Sequence, residues 1–273
     1  KRDNAMTNKI LMGLIALVLG LLFLEILIVH SKNEQQKNAS NQVQTARIMA
    51  NGDLLYHDGL YMSALQADGS YDFTENFTYV KPWLKQADLV LGDFEGTINP
   101  DYPLSGYPLF NAPQSVTAAI KDAGYDVMDL AHNHILDSGL EGAFTTADAF
   151  KKVGIDPIGV YEKPVRDKAP LLIKNVNGIK VAILSYAYGY NGLESNLTDK
   201  EVADHLSNLD EKRMKAEIQR AEKEADITVI MPQMGVEYRL EPTDEQVKLY
   251  HKMIDWGADI IFGGHPHVVE PSE

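Results

Sequence analysis

The stretch YDVMDLAHNHILDSG, residues 125–139, joins a short apolar run to a dense group of polar side chains. Its first half has the hydrophobicity of a buried strand, and its second half carries His132, Asn133, His134 and Asp137. Imidazole, amide and carboxylate groups bind metal ions and carry protons. The stretch therefore predicts a strand that ends at a functional site.

Six other short apolar runs lie along the chain, and helix-like segments separate most of them. The runs are ARIMANGD (46–53), ADLVLGDFEG (87–96), GIDPIGVY (154–161), GIKVAILSYAYG (178–189), DITVIMPQMG (226–235) and ADIIFGGHPHV (258–268). Helices are predicted at residues 115–123, 140–153 and 210–224, and a capping box of Thr243 and Gln246 begins another that ends at Gly257. This alternation predicts an α/β domain over residues 46–273.

The composition excludes some classes of function. The formal net charge is −14 and no run of Lys or Arg occurs, so nucleic acid is not a predicted partner. The absence of cysteine excludes disulfides and thiolate metal ligands. A hydrophobic content of 45% is ordinary for a packed globule, so disorder is not the expected state of the chain as a whole.

Residues 10–30 predict a transmembrane signal anchor. Residues 10–29, ILMGLIALVLGLLFLEILIV, are apolar over the length of a membrane span, and Lys1, Arg2 and Lys9 precede them. By the positive-inside rule, residues 1–9 form a cytoplasmic tail, and the chain after residue 30 lies on the extracytoplasmic side of the cell membrane. No small-residue cleavage site follows, which favours a single-pass anchor that is not removed. Residues 31–45 are rich in Asn, Gln, Lys and Ser and predict a flexible stalk.

Polar side chains that bind metal ions follow four of the strand-like runs. They are Asp53, then Asp93 and Glu95, then Asn133 and His134, and finally His265 and His267. Because the carboxyl ends of strands in an open α/β sheet share one edge, we expect these groups to converge in one crevice. Carboxylates, amide oxygens and imidazoles together are ligands for Mn, Fe, Zn or Mg, and such a cluster can hold two ions. The sequence therefore predicts a divalent metal site.

Each of these motifs is weak when it is taken alone. Asp53 follows Asn-Gly and is more often a turn residue, GDFEG is equally compatible with a turn, and a lone His-x-His is a ligand pair in roughly half of cases. Asp137 lies three residues after His134, close enough to orient its ring for acid catalysis. His132 alternates with His134, and we expect it to be hydrogen-bonded in the core. The Pro-rich, aromatic stretch at residues 99–113 predicts a loop over the site.

Five motifs resemble, in their order and spacing, those of the bacterial capsule synthesis protein family, the CapA-type proteins of poly-gamma-glutamate biosynthesis, which look related to calcineurin-like metallophosphoesterases. The motifs are Gly52-Asp53, the carboxylate motif that ends at Glu95, Asn133-His134-x-x-Asp137-x-Gly139, Gly235-x-Glu237-Tyr238, and Gly264-His265-x-His267. The resemblance runs from Arg47 to the end of the chain. It implies an α/β/β/α sandwich in which two sheets pack face to face between helices, with the metal site at one edge.

The resemblance also implies roles for single residues. Asp53 is similar to the metal ligand of the first strand, and Asp93 or Glu95 to the carboxylate that bridges two ions. His134 resembles the acid beside the phosphoryl oxygen. The remaining motif positions resemble further metal ligands, Asn133, His265 and His267, and further pocket residues, Glu237 and Tyr238.

Two positions depart from the pattern that the resemblance implies. Metallophosphoesterases carry Asp-x-His on the first strand, where this chain has Asp53-Leu54-Leu55. The capsule family begins its His-Trp-Gly-x-Glu motif with a histidine, where this chain has Gln233, whose amide oxygen binds a hard ion more weakly than imidazole does. Relatives continue with further strands, so we expect the C-terminal part of the domain to be missing from this sequence.

Three functions agree with these observations. The first is a membrane-anchored, extracytoplasmic protein of capsule or poly-gamma-glutamate biosynthesis and export, with a metal-dependent, phosphoesterase-like hydrolase site. The second is a non-catalytic accessory subunit that binds the polymer in an export complex. The third is a purely structural, wall-associated domain. The expected partners are the membrane, an anionic capsular polymer or its intermediates, and other capsule-synthesis membrane proteins.

Overall fold

The computed structural model describes residues 24–25, 27–31, 43–165 and 168–273. Thr45–Glu273 forms one compact unit. Of the predicted transmembrane span, only residues 24–25 and 27–30 are described, and they are helical. Within the described ranges, no helix has the length and apolar character that a membrane span requires. The predicted cytoplasmic tail and most of the predicted stalk lie outside the described residues.

The first sheet consists of four parallel strands that lie side by side in sequence order. They are β1 (Ile48–Asp53), β2 (Leu89–Asp93), β3 (Val127–Asp129) and β4 (Asp156–Ile158). The connections between them contain helices α1 (Asp58–Ser63), α2 (Lys81–Leu84), α3 (Val116–Ala123) and α4 (Gly139–Lys152), and a 3-10 helix at Thr74–Phe77. Every residue of β2 and β3 is buried, as expected for central strands that are covered on both faces.

The second sheet has the strand order β5-β6-β7-β8. Its strands are β5 (Leu172–Val176), β6 (Ile179–Ala187), β7 (Ile227–Gln233) and β8 (Ile260–Ile261). β5 and β6 are antiparallel, whereas the other neighbouring pairs are parallel. The connections contain α5 (Asp199–His205), α6 (Glu211–Glu224) and α7 (Asp244–Trp256), and a 3-10 helix at Leu193–Asn196.

Three apolar clusters give the domain its order of layers: helix, sheet, sheet, helix. Between the sheets, Leu91 of the first packs in one cluster with Val181 of the second. A second cluster joins the outer face of the first sheet to α3 and α4, through Ile120 and Phe150. The third joins the second sheet to α6 and α7, and includes Met214. The α/β class predicted from the sequence is confirmed.

Four aspartates fix the register of the parallel strands at their amino ends. Each directly precedes a strand and forms two hydrogen bonds of 2.8–3.0 Å with one residue near the start of the neighbouring strand: its backbone N–H donates to that residue's carbonyl, and its carboxylate accepts that residue's N–H. The pairs are Asp88 with Arg47, Asp126 with Val90, Asp226 with Lys180, and Asp259 with Thr228. A slip of one residue would break both bonds of a pair, so the arrangement favours a single register.

The elements agree with the sequence patterns at most points. Each of the seven apolar runs contains a strand, and α3, α4 and α6 lie within one or two residues of their predicted bounds. The capping box of Thr243 and Gln246 is present, and the helix that it begins ends at Gly257 in a left-handed conformation. β5 is the strand that the patterns did not predict. It pairs with β6 in antiparallel orientation through a hairpin at Asn177-Gly178.

Replacing Asp126 tests the hydrogen bonds that fix the register of the parallel strands. We expect Asp126→Ala to lower the free energy of unfolding by about 1 kcal/mol, because the Val90 N–H loses its acceptor. Asp126→Asn keeps an acceptor oxygen and should cost less. Urea denaturation of the three proteins measures the difference, and an equal loss in both variants would contradict a role for this bond.

Candidate metal centre

The carboxyl ends of strands from both sheets meet at one rim of the domain. Asp53 ends β1 and Asp93 ends β2, and the two are partners in the ladder of the first sheet. From the second sheet, Gln233 at the end of β7 accepts a hydrogen bond from the Asn133 backbone N–H through Oε1 at 2.7 Å. A Cβ atom at Gly264 would lie 3.2 Å from Asp93 Oδ2, so the loop after β8 approaches the first sheet closely because it has no side chain there.

Six of the predicted ligands lie at this rim, and together they are called the ligand cluster: Asp53, Asp93, Glu95, Asn133, His265 and His267. At its centre, His267 Nδ1 lies 2.7 Å from Asp53 Oδ2 and 3.8 Å from Glu95 Oε2. One ligand atom from each of these three residues lies within 4.8 Å of the other two. One cation can therefore contact all three side chains.

The ligand cluster contains many buried polar atoms that lack a hydrogen-bond partner among the described residues. They are Asp53 Oδ1, Asp93 Oδ1, both carboxylate oxygens of Glu95, Asn133 Oδ1 and His265 Nδ1. Leaving such atoms unpaired is costly, and native proteins rarely do so without a reason such as a bound ion. All but the His265 nitrogen are oxygens that cannot donate to one another when the carboxylates are ionised. The donor set therefore fits a divalent cation.

The carboxyl groups of the ligand cluster repel one another in a buried setting. Burial raises the pKa of Asp93 well above its usual range, and the neighbouring carboxylates raise it further. Burial likewise raises the pKa of Glu95 to about 7, and the charge of Asp53 adds to the effect. Burial opposes ionisation of Asp53 too, but the hydrogen bond and charge of His267 outweigh it and lower its pKa. The same hydrogen bond raises the pKa of His267.

His134 and Asp137 form a buried pair beside the ligand cluster. His134 Nδ1 lies 2.7 Å from Asp137 Oδ2, and the same oxygen accepts the Phe110 backbone N–H at 2.6 Å. The Phe110 ring meets the His134 ring edge-on, with centroids 4.8 Å apart. Phe110 belongs to the stretch at 99–113, so this loop lies against the pair, as its composition predicted. Burial raises the pKa of Asp137, although the hydrogen bond from His134 opposes this.

The amide side chains orient their neighbours. Asn133 Nδ2 donates to Asn191 Oδ1 at 3.2 Å, whereas Asn133 Oδ1 is buried and has no hydrogen-bond partner among the described residues. Asn191 Nδ2 lies 3.5 Å from both ring nitrogens of His134. Gln233 Oε1, a predicted ligand atom, already accepts a hydrogen bond from Asn133, so it holds the loop after β3 against the second sheet.

His132 is buried and hydrogen-bonded, as predicted. It is 0% exposed, and its Nδ1 accepts the His134 backbone N–H at 3.2 Å. Burial lowers its pKa to about 3, so the ring is neutral at ordinary pH. It therefore supports the loop between β3 and α4 from inside the core.

Two residues of the site escaped the sequence patterns. Asp129 ends β3, pairs with Asp93 in the ladder and is buried, which raises its pKa to about 8. The sequence signal for Asp129 is an apolar run that ends in Asp, the same signal that identified Asp53 and Asp93. Asn191 adopts a left-handed backbone conformation with a φ of 54° in an Asn-Gly turn, and that turn signal did not indicate a contact with His134.

The two predicted pocket residues stand at the mouth of the site. Glu237 is exposed and Tyr238 is 71% exposed, with its ring centroid 5.8 Å from that of His267. The backbone is strained here: φ is 92° at His265, 57° at His267 and 60° at Tyr238. Such conformations cluster at functional sites in proteins.

Comparison with known proteins gives consistent matches. The model of the family described as bacterial capsule synthesis protein PGA_cap matches residues 47–273. The capsule biosynthesis protein CapA of Bacillus anthracis is 33% identical over 203 residues, which cover 71% of this chain and 48% of that protein. The PGA biosynthesis protein CapA of Bacillus subtilis (strain 168) is 29% identical over 276 residues, covering 100% of this chain and 70% of that protein.

Among solved structures, a similar one is the calcineurin-like phosphoesterase YfkN from Bacillus subtilis. The TM-score is 0.52 and the identity 18%, over 84% of this chain and 74% of that one. At this identity the likeness shows the fold alone. It agrees with the mixed α/β sandwich described above.

The raised carboxyl pKa values predict that the metal-free chain loses stability as the pH rises from 6.5 to about 8. Folded Glu95 and Asp129 hold protons that the unfolded chain has already released, and they lose them near pH 7 and 8, respectively. The raised pKa of His267 acts in the same direction. Below 6.5, protonation of His132 in the unfolded chain acts in the opposite direction, which sets the lower limit.

Thermal unfolding in EDTA at several pH values across this window measures the effect. We expect Tm to fall with rising pH, and excess Mn²⁺ to remove most of the fall. A Tm that stays level or rises in EDTA would contradict the electrostatic description.

Glu95→Gln should change the stability of the metal-free chain and its affinity for Mn²⁺ in opposite directions. At pH 8 the variant removes a buried charge, and we expect it to stabilise the metal-free chain by about 2 kcal/mol while weakening Mn²⁺ binding. Urea denaturation in EDTA and calorimetric Mn²⁺ titration measure the two effects. Glu241→Gln, at an exposed position, is the matched control and should change neither. A Glu95→Gln protein that is both less stable and equally able to bind Mn²⁺ would refute this.

Proposed function

This chain belongs to the bacterial capsule synthesis protein family, and from that premise we propose that it carries a metal-dependent, phosphoesterase-like hydrolase site for capsule or poly-gamma-glutamate biosynthesis or export. The observation that carries the proposal is the group of unpaired ligand atoms beside the buried His134–Asp137 pair. Unpaired carboxylates favour a cation, and a histidine held by a carboxylate favours proton transfer. Together they constitute the parts of a hydrolytic site.

The ligand cluster would hold the cation. Asp53, Glu95 and His267 are the closest set, and Asp93 and Asn133 present unpaired oxygens beside them. When bound, a divalent cation supplies Lewis acidity and neutralises negative charge on the substrate. The chain's own contribution is to hold these oxygens in place, by ladder pairing of Asp53 and Asp93 and by the hydrogen bond that Asn133 Nδ2 donates to Asn191 Oδ1. Mn, Fe, Zn and Mg all suit an oxygen-rich site with imidazole.

His134 has the geometry of a general acid. Its Nδ1 is bonded to Asp137 Oδ2, which fixes the ring and leaves Nε2 as the nitrogen that can pass a proton to a leaving oxygen. Phe110 restrains both partners, through its N–H on Asp137 and its ring on His134. The pair is also largely shielded from water, which strengthens its hydrogen bond.

The proposal includes the location and partners of the protein. The apolar run at residues 10–29 with Lys1, Arg2 and Lys9 before it supports a single-pass anchor in the cell membrane with the domain outside. An anionic capsular polymer, or one of its intermediates, is the proposed substrate class, and other capsule-synthesis membrane proteins are the proposed partners. The names of the two Bacillus relatives support this role.

A second candidate function is a non-catalytic accessory that binds polymer in an export complex. Two observations favour it: Gln233 uses its amide oxygen to hold Asn133, and Leu55 stands where metallophosphoesterases carry a histidine. Two ligand positions are thus altered, which favours fewer or weaker ions than a two-metal phosphoesterase holds. A binding role needs the pocket but not the proton transfer.

The enzymatic proposal predicts that His134→Ala lowers the Mn²⁺-dependent hydrolysis of bis(p-nitrophenyl) phosphate by about a hundredfold or more, because a general acid contributes at least that much. Mn²⁺ content, measured by mass spectrometry, should stay unchanged, since His134 is not in the ligand cluster. His251→Ala, at an exposed histidine, is the matched control.

The outcome decides between the two candidates. If the His134→Ala protein hydrolyses the substrate as fast as the wild type does, the enzymatic hypothesis is wrong. If chains with Asn133→Ala and His265→Ala also restore surface polymer fully in a deletion strain, the result favours the non-catalytic accessory function. Loss of polymer with either variant, despite normal amounts of protein, supports a working site.

A further inference from the structure

Two exposed tyrosine rings lie beside the two histidine rings of the ligand cluster. Tyr188 is 47% exposed, and its ring centroid lies 4.7 Å from that of His265. Tyr238 is 71% exposed, and its ring centroid lies 5.8 Å from that of His267. The two histidine rings are themselves 6.1 Å apart. The two exposed tyrosine rings, each beside one of these histidines, are here called the aromatic platform.

The backbone holds these tyrosines at the mouth. The Tyr238 N–H donates to Pro266 O at 2.8 Å, and the residue has a φ of 60°, which a bulky side chain rarely adopts. The Tyr188 N–H donates to Gln233 O at 3.1 Å, which ties it to the end of β7. A ring that is mostly exposed contributes little to the core. The strained placement of Tyr238 is therefore better explained by a ligand than by folding.

The mouth is acidic. Glu237 is exposed and directly precedes Tyr238. Glu194 Oε1 lies 3.7 Å from where a Cβ atom of Gly189, the residue after Tyr188, would stand. A polymer with a negative charge on every unit would be repelled along such a surface, whereas one phosphoryl group at a cation is compensated locally. Aromatic faces with carboxylates nearby suit an uncharged ring that carries hydroxyl groups, because the face stacks and the carboxylates accept hydrogen bonds.

We propose that the aromatic platform binds the sugar ring of a glycosyl phosphoester, whose phosphoryl group lies at the ligand cluster. This inference rests on the proposed metal-dependent function and narrows its substrate class. The substrate is then an uncharged sugar joined to a single phosphate, such as an intermediate or terminal unit of a capsular glycan, rather than an extended polyanion. Tyr238 is the specificity residue, since it is the more exposed of the two.

Calorimetric titration of the full chain, purified in detergent and loaded with Mn²⁺, tests this with α-D-glucose 1-phosphate and inorganic phosphate. We expect the sugar phosphate to bind about tenfold more tightly than phosphate, the scale of one good aromatic contact. In Tyr238→Ala this preference should disappear while phosphate binding stays the same. Tyr79→Ala removes a tyrosine that is 88% exposed on another element and should keep the preference.

Three outcomes are distinguishable. A preference that survives in Tyr238→Ala overturns the sugar platform and leaves the metal site intact, and so does a short poly-gamma-glutamate oligomer that displaces the sugar phosphate. Binding of phosphate without any sugar preference in the wild type does the same. If neither phosphate nor sugar phosphate binds the Mn²⁺-loaded chain, the proposed function falls, and this inference falls with it.

Discussion

The pairing of each strand-leading aspartate with one residue of the neighbouring strand is the constraint on which the rest of the structure depends. The four pairs, at Asp88, Asp126, Asp226 and Asp259, close the amino ends of β2, β3, β7 and β8 with two hydrogen bonds each. Between β2 and β3 the register stays constant to the last residues, so Asp93 and Asp129 are partners. In β1 the register shifts between Ala50 and Asp53, and this irregularity brings Asp53 opposite Asp93. Asp53, Asp93 and Asp129 thereby lie side by side in the first sheet, although some 76 residues separate the first from the last.

This arrangement lowers stability at the carboxyl ends of the strands, which form the rim opposite the aspartate pairs. The same ladders that align the strands bring buried carboxylates together, and burial raises the pKa of Asp93, Glu95 and Asp129. His267 partly offsets their charge through its hydrogen bond to Asp53. Without a cation, protons bound to these carboxyl groups reduce their negative charge. Binding of the proposed cation would release those protons. The buried carboxyl groups of this rim therefore lower the stability of the chain.

The sequence predicted the class of fold and the rim because both follow from local signals. Strand runs that end in Asp, Asn or His identify the residues at the carboxyl ends, and parallel topology brings those ends together. β5 has no predicted counterpart because it is joined to β6 by the tight turn Asn177-Gly178, whereas the predicted strands alternate with helices. Asn191 and the contact between Gln233 and Asn133 link positions far apart in the chain. Long-range contacts of this kind depend on how the sheets pack, and no local pattern specifies them.

Phe110 has a consequence for the way a ligand and a proton influence each other. Its N–H and the His134 ring both bond to Asp137 Oδ2, so the loop at residues 99–113 and the histidine compete for, and stabilise, one oxygen. A molecule that lifts the loop withdraws one donor from that oxygen and strengthens the remaining bond to His134. By thermodynamic reciprocity, a proton gained or lost by the pair changes the hold on the loop by the same free energy. The position of this loop and the protonation of the His134–Asp137 pair are therefore coupled through a single atom.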